Sequence, residues 1–169
     1  HPGVQAFEQA HAGLVEFHAW LQWLADEQLG EAQALGRTLG MPIGLYGDYA
    51  VGVNPSGSET WSDQALYRKG AGVGAPPDAL ALKGQDWGIP PQDPNVLMAE
   101  QYRPFRNLVA ANMRHFGALR LDHVMALFRQ WWVPAGLGSI AGGYVHYPLD
   151  DLMSVLALES ERHHCLVIG

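Results

Sequence analysis

The first forty residues carry apolar side chains at helical spacing. The positions that repeat three, four or seven residues apart are Phe7, Leu14, Phe17, Leu21 and Leu24. This spacing predicts a helix from about residue 4 to residue 39, with one apolar face. Gly13 and Gly30 are candidate breaks in it, and Gly40 is a candidate stop because glycine favours the position just after a helix end.

Short apolar runs separate this helix from later helical patterns. They predict strands from about Ile43 to Asp48, in "ALRLDHV" and in "HCLVIG". Helical spacing returns in "NVLMAEQYRPFRNLVAANMRHFG", with a break at Pro104, and in "LDDLMSVLALESERH". We expect "MALFRQWW" to form a short helix and "VPAGLGSIAGGYVHYP" to form a loop. The alternation of helices with strands is typical of parallel βα units, and 169 residues suit one α/β domain.

Residues 54–94 interrupt this alternation with a stretch rich in glycine and proline. The pattern predicts a long loop without regular structure, and such loops inside a compact domain are usually functional or disordered. Because the stretch contains tryptophan and tyrosine, which disordered segments lack, we expect a functional loop.

The composition narrows the function classes. Charged residues make up 16% of the chain, against roughly 25% in average soluble domains, which predicts a large buried fraction or apolar surface covered by another segment. The net charge of −7 and the absence of a basic run argue against a nucleic-acid partner. The single cysteine, Cys165, excludes an internal disulfide and fits a reducing, cytoplasmic setting. No apolar run approaches the length of a membrane span.

Motifs for several common chemistries are absent from the sequence. "KGAGVGAPPD" resembles a nucleotide loop, but two prolines follow it where a helix should begin, and the P-loop Gly-Lys-Ser/Thr is missing. Neither H-E-x-x-H nor a Cys/His zinc spacing occurs among the eight histidines, so we expect no metal and no cofactor. The chain has no G-x-S-x-G nucleophile motif.

Two carboxylates remain, each at the end of a predicted strand. Because the carboxyl ends of parallel strands face the ligand in α/β proteins, Asp48 and Asp122 predict one shared site. Arg120 lies two residues before Asp122 on the same strand face and would keep that carboxylate ionised, as a nucleophile requires. The alternative is that Asp122 caps the next helix. The aromatic rings of Tyr46 and Trp87 suit stacking against a sugar.

Three segments resemble one family. "LRLDH" with "WWVPAG", "GAPPDALALKGQDWGIPPQDP" and "GLYGDYAVGV" are similar to the conserved segments of the 4-alpha-glucanotransferases, also called amylomaltases or disproportionating enzymes. The loop segment follows the family pattern "GxPPD…GQxWGxP", which is highly specific. The similarity extends through nearly the whole chain and is strongest to the bacterial maltodextrin-utilisation form.

The resemblance implies a retaining enzyme that transfers α-1,4-glucan units between maltooligosaccharides, without a cofactor. It implies a (β/α)8 TIM barrel, of which residues 1–169 would be one segment of the catalytic domain, truncated at both ends, with about strands 3 to 5, their helices and the active-site loop 54–94. A complete barrel takes roughly 250 residues. A partial barrel exposes strand edges, so we expect self-association.

The resemblance also implies residue roles. Asp122 would be the nucleophile, Arg120 its partner, and His123 a residue that holds the sugar in the donor subsite. The remaining substrate-binding candidates are Asp48, Tyr46, Asp78, Gln85 and Trp87. Of these, Asp78, Gln85 and Trp87 would belong to the loop that lines the acceptor side. The family's acid/base Glu, in "G-E-D-L-G", would follow the strand "HCLVIG", so we expect the isolated chain to be inactive. Two alternatives remain: hydrolysis instead of transfer, and a non-catalytic glucan-binding or structural module.

Overall fold

Two sheets with different strand directions organise the structure, a computed structural model that describes residues 2–169. The helices are α1 (Pro2–Ala10), α2 (Ala12–Thr38), α3 (Ser58–Ser62), α4 (Pro94–Ala99), α5 (Arg103–Met113) and α6 (Leu149–His163). The strands are β1 (Tyr46–Tyr49), β2 (Ala71–Ala75), β3 (Gln85–Ile89), β4 (Ala118–Leu121), β5 (Arg129–Pro134), β6 (Gly143–His146) and β7 (Leu166–Ile168). Two 3-10 turns cover Val124–Leu127 and Ser139–Ala141.

The first sheet is parallel and has the strand order β1-β4-β7. Its three strands are the three predicted from the sequence, although β1 begins at Tyr46 rather than at Ile43. The register places Asp48 opposite Arg120. The predicted α/β class with parallel strands is therefore confirmed.

Helices α5 and α6 contribute much of the core beside this sheet. Its buried side chains include Leu97, Phe105, Val109, Met113, Leu119, Leu121, Leu152 and Leu156. Helix α5 follows a break at Gln101 and Tyr102, whose φ angles are +53° and +58°. The predicted break is thus confirmed, with Pro104 in the first turn of α5, where its missing N–H has no helical partner to lose. Cys165 is buried, which raises the pKa of its thiol and suits packing rather than reactivity.

The second sheet is antiparallel, with the order β3-β2-β5-β6, and it corrects three predictions. Residues 54–94 are not structureless, because they contain α3, β2 and β3. The segment "MALFRQWW" is helical only as far as Leu127, after which β5 begins. The predicted loop after it contains β6.

Glycine explains why β2, with the sequence "AGVGA", does not look like a strand. A Cβ atom on Gly74 would lie 2.0 Å from the backbone oxygen of Gln85 on β3. The two strands therefore approach each other so closely that a side chain at this position does not fit.

The N-terminal helical region is confirmed, with different breaks. It divides at His11, while Gly13 and Gly30 lie inside α2. Gly40, with φ +81°, follows the helix end as predicted. Much of the apolar face of α1 and α2 is exposed, including Phe7 and Trp23. Among residues 2–169, no helix has the length and apolar character needed to cross a membrane.

Candidate active site

Three charged side chains meet at the carboxyl ends of β1 and β4. Arg120 donates from Nη1 to both carboxylate oxygens of Asp48, at 2.9 Å each, and from Nη2 to Oδ1 of Asp122 at 2.9 Å. The predicted sharing of one site by the two carboxylates thus has a direct physical basis. One planar guanidinium, whose fork matches carboxylate geometry, holds both.

This trio is open to solvent. The side chains of Asp48, Arg120 and Asp122 are 63%, 45% and 45% exposed. The hydrogen bonds from Asp48 and then Asp122 raise the pKa of the Arg120 guanidinium further above its usual value, so it stays charged. Exposed ion pairs contribute little to stability, because water and salt screen the charges. The trio therefore contributes more to the placement of charge than to the stability of the fold.

The capping alternative for Asp122 finds no support in these contacts. The residue at the start of the following 3-10 turn is His123, with φ +52°. The side chain of Asp122 accepts from Arg120, and its backbone N–H donates to the oxygen of Tyr49 at 3.0 Å. Asp122 is thereby tied to Arg120 on its own strand, β4, and to Tyr49 on the neighbouring strand, β1.

His123 turns the chain out of β4 and contacts the antiparallel sheet. Its ring lies edge-to-face with that of Trp87, with 5.2 Å between centroids and 89° between planes. Burial lowers the pKa of His123, and the charge of Asp122 opposes this only in part. The imidazole is therefore biased toward its neutral form.

Strands β2 and β3 pair as an antiparallel hairpin, and the residues of this hairpin predicted for the site divide into two groups. Trp87 and Gln85 are joined by a 2.9 Å hydrogen bond from the indole Nε1 to Oε1, and Trp87 reaches His123. Asp78 instead shapes the tip of the β2–β3 connection, where its Oδ1 accepts from the backbone N–H groups of Leu80 and Ala81. Tyr46 is exposed on the same face of β1 as Asp48, two residues nearer the amino end.

A cavity of about 210 Å³ lies beside the strand ends, with Asp48, Asp122 and His123 among its lining residues. Most of its wall is apolar, and its polar lining includes Gln92 and Gln130.

One polar group in this wall was missed in the sequence. The buried Tyr147 hydroxyl lies 2.6 Å from the backbone oxygen of Gln92 and 2.9 Å from Oε1 of Gln130, and burial raises its pKa. No local motif marks this group, because its members come from three separate segments. Across residues 2–169, no three His, Cys, Asp or Glu side chains are grouped so that they could hold a metal ion.

Comparison with known proteins decides the family. The family model described as 4-alpha-glucanotransferase matches residues 1–169. The chain belongs to the 4-alpha-glucanotransferase family. The resemblance inferred from the three sequence segments is confirmed.

Curated relatives show how much of a family member this chain represents. It is 49% identical to a 4-alpha-glucanotransferase from Haemophilus influenzae over 98% of this chain and 24% of the relative. It is 46% identical to one from Mycobacterium bovis, over 99% of this chain and 23% of the relative. The chain thus spans about a quarter of the length of these relatives.

Solved structures agree with the fold. The crystal structure of amylomaltase from Corynebacterium glutamicum superposes with a TM-score of 0.90 at 42% identity, covering 94% of this chain and 22% of that one. Amylomaltase from Streptococcus agalactiae in complex with acarbose gives a TM-score of 0.86 at 18% identity, covering 98% of this chain and 34% of that one. At that identity, the second likeness bears on the fold alone.

Proposed function

We propose that this chain is part of a retaining 4-alpha-glucanotransferase that moves an α-1,4-glucan unit from a maltooligosaccharide donor to a sugar acceptor. The observation that carries the proposal is the fork of Arg120, which fixes Asp122 and Asp48 at neighbouring strand ends. Family membership supplies the reaction class. The 49% identity to the Haemophilus influenzae relative supports the same assignment.

In this proposal, Asp122 is the nucleophile. Its carboxylate attacks the anomeric carbon, the glycosidic bond breaks, and the leaving oxygen takes a proton from an acid/base carboxyl group about 5 Å away. The hydroxyl group of the acceptor then attacks the glucosyl–Asp122 ester, returns a proton to the acid/base and frees Asp122. Two displacements at one carbon retain its configuration.

Arg120 and Asp48 prepare this step. The guanidinium places a positive charge against Asp122 and fixes the direction of one of its oxygens. Asp48 accepts hydrogen bonds from Arg120 at both oxygens. This arrangement suits a carboxylate anion and does not suit a carboxyl group that donates a proton. We therefore assign Asp48 to orienting Arg120 and binding sugar, and the acid/base role to a carboxyl group other than Asp48 and Asp122.

The remaining site residues contact the substrate in this proposal. His123 holds the donor sugar beside Asp122, and Trp87 with Gln85 lines the acceptor side, since their hairpin reaches the same strand end. Tyr46 offers a ring on the exposed face of β1. Asp78 acts through the turn that it shapes.

We also propose that β1, β4 and β7 are consecutive strands of a (β/α)8 barrel, as their parallel order supports. Residues 1–169 then form one segment of the catalytic domain. The exposed apolar face of α1 and α2 supports self-association of the isolated chain. A buried, unpaired Cys165 supports a reducing, cytoplasmic setting.

Incubation of the full-length protein with maltotriose tests the transferase assignment. Transfer yields glucose together with longer oligosaccharides, while the number of reducing ends stays constant. A steady rise in reducing ends without longer products would mean hydrolysis. Binding of maltotriose without any product would favour a non-catalytic module.

The isolated 169-residue chain provides a second test. We expect it to release no glucose from maltotriose, because both strand-end carboxylates are paired with Arg120 and neither is placed to donate a proton. Clear turnover by the isolated chain would show that a residue within it serves as the acid/base.

A further inference from the structure

The contact between Trp87 and His123 joins the two sheets at the candidate site. Trp87 lies on β3 in the antiparallel sheet, whereas His123 follows directly after Asp122 at the end of β4. Their rings are almost perpendicular, at 89°, with centroids 5.2 Å apart, which is a favoured geometry for aromatic pairs. Trp87 is half-buried in this position.

The indole of Trp87 is fixed by a contact within its own hairpin. Its Nε1 donates to Oε1 of Gln85, two residues earlier. On the other side, the N–H of Gly88 donates to Oδ1 of Asp86 at 3.0 Å, and Gly88 adopts a φ of +67° that favours glycine. These contacts fix the backbone and the ring on both sides of Trp87.

The hairpin is also attached to the other strand of the site. Gly52, shortly after β1, packs against Ile89 so closely that a Cβ atom at residue 52 would lie 2.9 Å from the Ile89 Cδ1. The end of β3 therefore touches the segment after β1 through Ile89 and the segment after β4 through Trp87. A displacement of the β2–β3 hairpin would therefore change contacts at the ends of both β1 and β4.

The orientation of the His123 side chain depends on a contact such as the one with Trp87. Its backbone lies in the left-handed region, and its side chain adjoins an exposed turn at Val124 and Met125. The neighbouring charges are Asp122 and, beyond it, the Arg120–Asp48 pair, while β3 presents the uncharged indole of Trp87. The indole thus covers the imidazole on one side and restricts its rotation.

We propose that Trp87 is a positioning residue for His123, and that through it the β2–β3 hairpin sets the orientation and hydration of the imidazole beside Asp122. This inference rests on the proposed function for its catalytic consequence. The geometric part stands on the ring contact alone. It assigns Trp87 a role that acts through His123, in addition to any contact with sugar.

Histidine-selective NMR of the full-length protein tests the geometric part. With ¹³C-labelled histidine and a His123→Gln variant for assignment, we expect Trp87→Ala to raise the titration midpoint of His123 by about half a pH unit or more, because water replaces the indole. Trp87→Phe, which keeps a ring edge or face in place, should remain close to the parent. Trp61→Ala is the matched control, since Trp61 is 60% exposed on α3.

The proposal is overturned if Trp87→Ala leaves the His123 midpoint unchanged, or if Trp61→Ala moves it as much. Where the alanine variant does not fold, Trp87→Leu replaces it. A midpoint shift in the leucine variant beyond that of the phenylalanine variant supports the proposal, and equal midpoints overturn it. The midpoint is readable whether or not the protein transfers glucan, so this test is independent of the proposed function.

Transfer kinetics then test the catalytic consequence. We expect Trp87→Ala to lower kcat/KM about tenfold and to shift its pH profile in the direction of the His123 midpoint, because small misplacements of site groups slow the reaction. Trp87→Phe should restore most of the rate and the parent profile. A tenfold loss with an unmoved pH profile in both variants would contradict a role through His123.

Discussion

The parallel and antiparallel sheets contribute different kinds of side chain to the candidate site. The parallel sheet β1-β4-β7 contributes fixed charge, through Asp48, Arg120 and Asp122 at adjacent strand ends. The antiparallel sheet β3-β2-β5-β6 contributes an aromatic surface, through Trp87 against His123. The charged groups of the first are tied through the register pair Asp48–Arg120, whereas β3 reaches the two strand ends through the ring contact of Trp87 with His123 and the packing of Ile89 against Gly52.

The two sheets should therefore respond differently to substitution. Charges on paired strands are set by backbone register, so substitutions there remove chemistry and leave the fold intact. The hairpin depends on close packing of glycine-rich strands, so substitutions there alter structure first and activity second.

The largest effect is expected at the nucleophile. Asp122→Asn should lower transfer in the full-length protein by on the order of 10³-fold or more, because a neutral amide does not attack the anomeric carbon. Far-UV circular dichroism should remain that of the parent. Asp150→Asn, an equivalent change in the first turn of α6, serves as the control. Transfer by Asp122→Asn within about tenfold of the parent would refute the nucleophile assignment.

The next effect concerns the fork of Arg120. Arg120→Lys keeps the charge but not the planar donors that reach both carboxylates, and we expect transfer to fall about 10²-fold. The melting temperature should hardly change, since exposed ion pairs contribute little to stability. Arg106→Lys on the exposed side of α5 is the control. A large loss of thermal stability without loss of transfer would show that the trio is structural.

A smaller effect, on stability rather than chemistry, is expected in the antiparallel sheet. Gly74→Ala places a Cβ atom against the Gln85 backbone oxygen and should destabilise β2 and β3 by about 1–3 kcal/mol. Hydrogen exchange of the β2–β3 amides measures this. Gly70→Ala, where no atom lies within 4 Å of the added carbon, should leave exchange unchanged. Equal protection in both variants would mean that the two strands are further apart.

The smallest effect is expected at Asp93, where the chain leaves the segment that contains β2 and β3 and enters α4. Burial alone would raise the pKa of Asp93, but the hydrogen bonds from Arg68, Asn95 and Val96 outweigh it and leave that pKa below its usual value of 3.8. The contribution of the ionised Asp93 carboxylate to the stability of the fold is therefore present at neutral pH, and it is lost as the pH falls through the lowered pKa.

Asp93→Ala should cost about 1 kcal/mol at pH 7, as for other helix caps. Thermal melts between pH 7 and pH 2.5 measure the difference from the parent protein. We expect that difference to shrink only below about pH 4. A difference that stays constant down to pH 2.5 would exclude the ionised carboxylate as its source.

The sequence predicts the parallel sheet well and the antiparallel sheet poorly. Arg120 and Asp122 are two residues apart on one strand, so period-two alternation alone places them on one face. By contrast, β2 owes its glycines to the close approach of β3, which is a tertiary cause that no local pattern reveals. The same holds for Tyr147, whose partners Gln92 and Gln130 come from distant segments.

Mass spectrometry of the trapped enzyme tests whether Asp122 is the nucleophile. The full-length protein is incubated with a fluorinated glucosyl donor that forms the covalent intermediate but releases it slowly, and is then digested. We predict that the peptide containing Asp122 gains the mass of the fluorinated glucosyl group, and that fragmentation places this group on the Asp122 carboxylate. A label on Asp48, or turnover of maltotriose with no labelled peptide, would contradict the account.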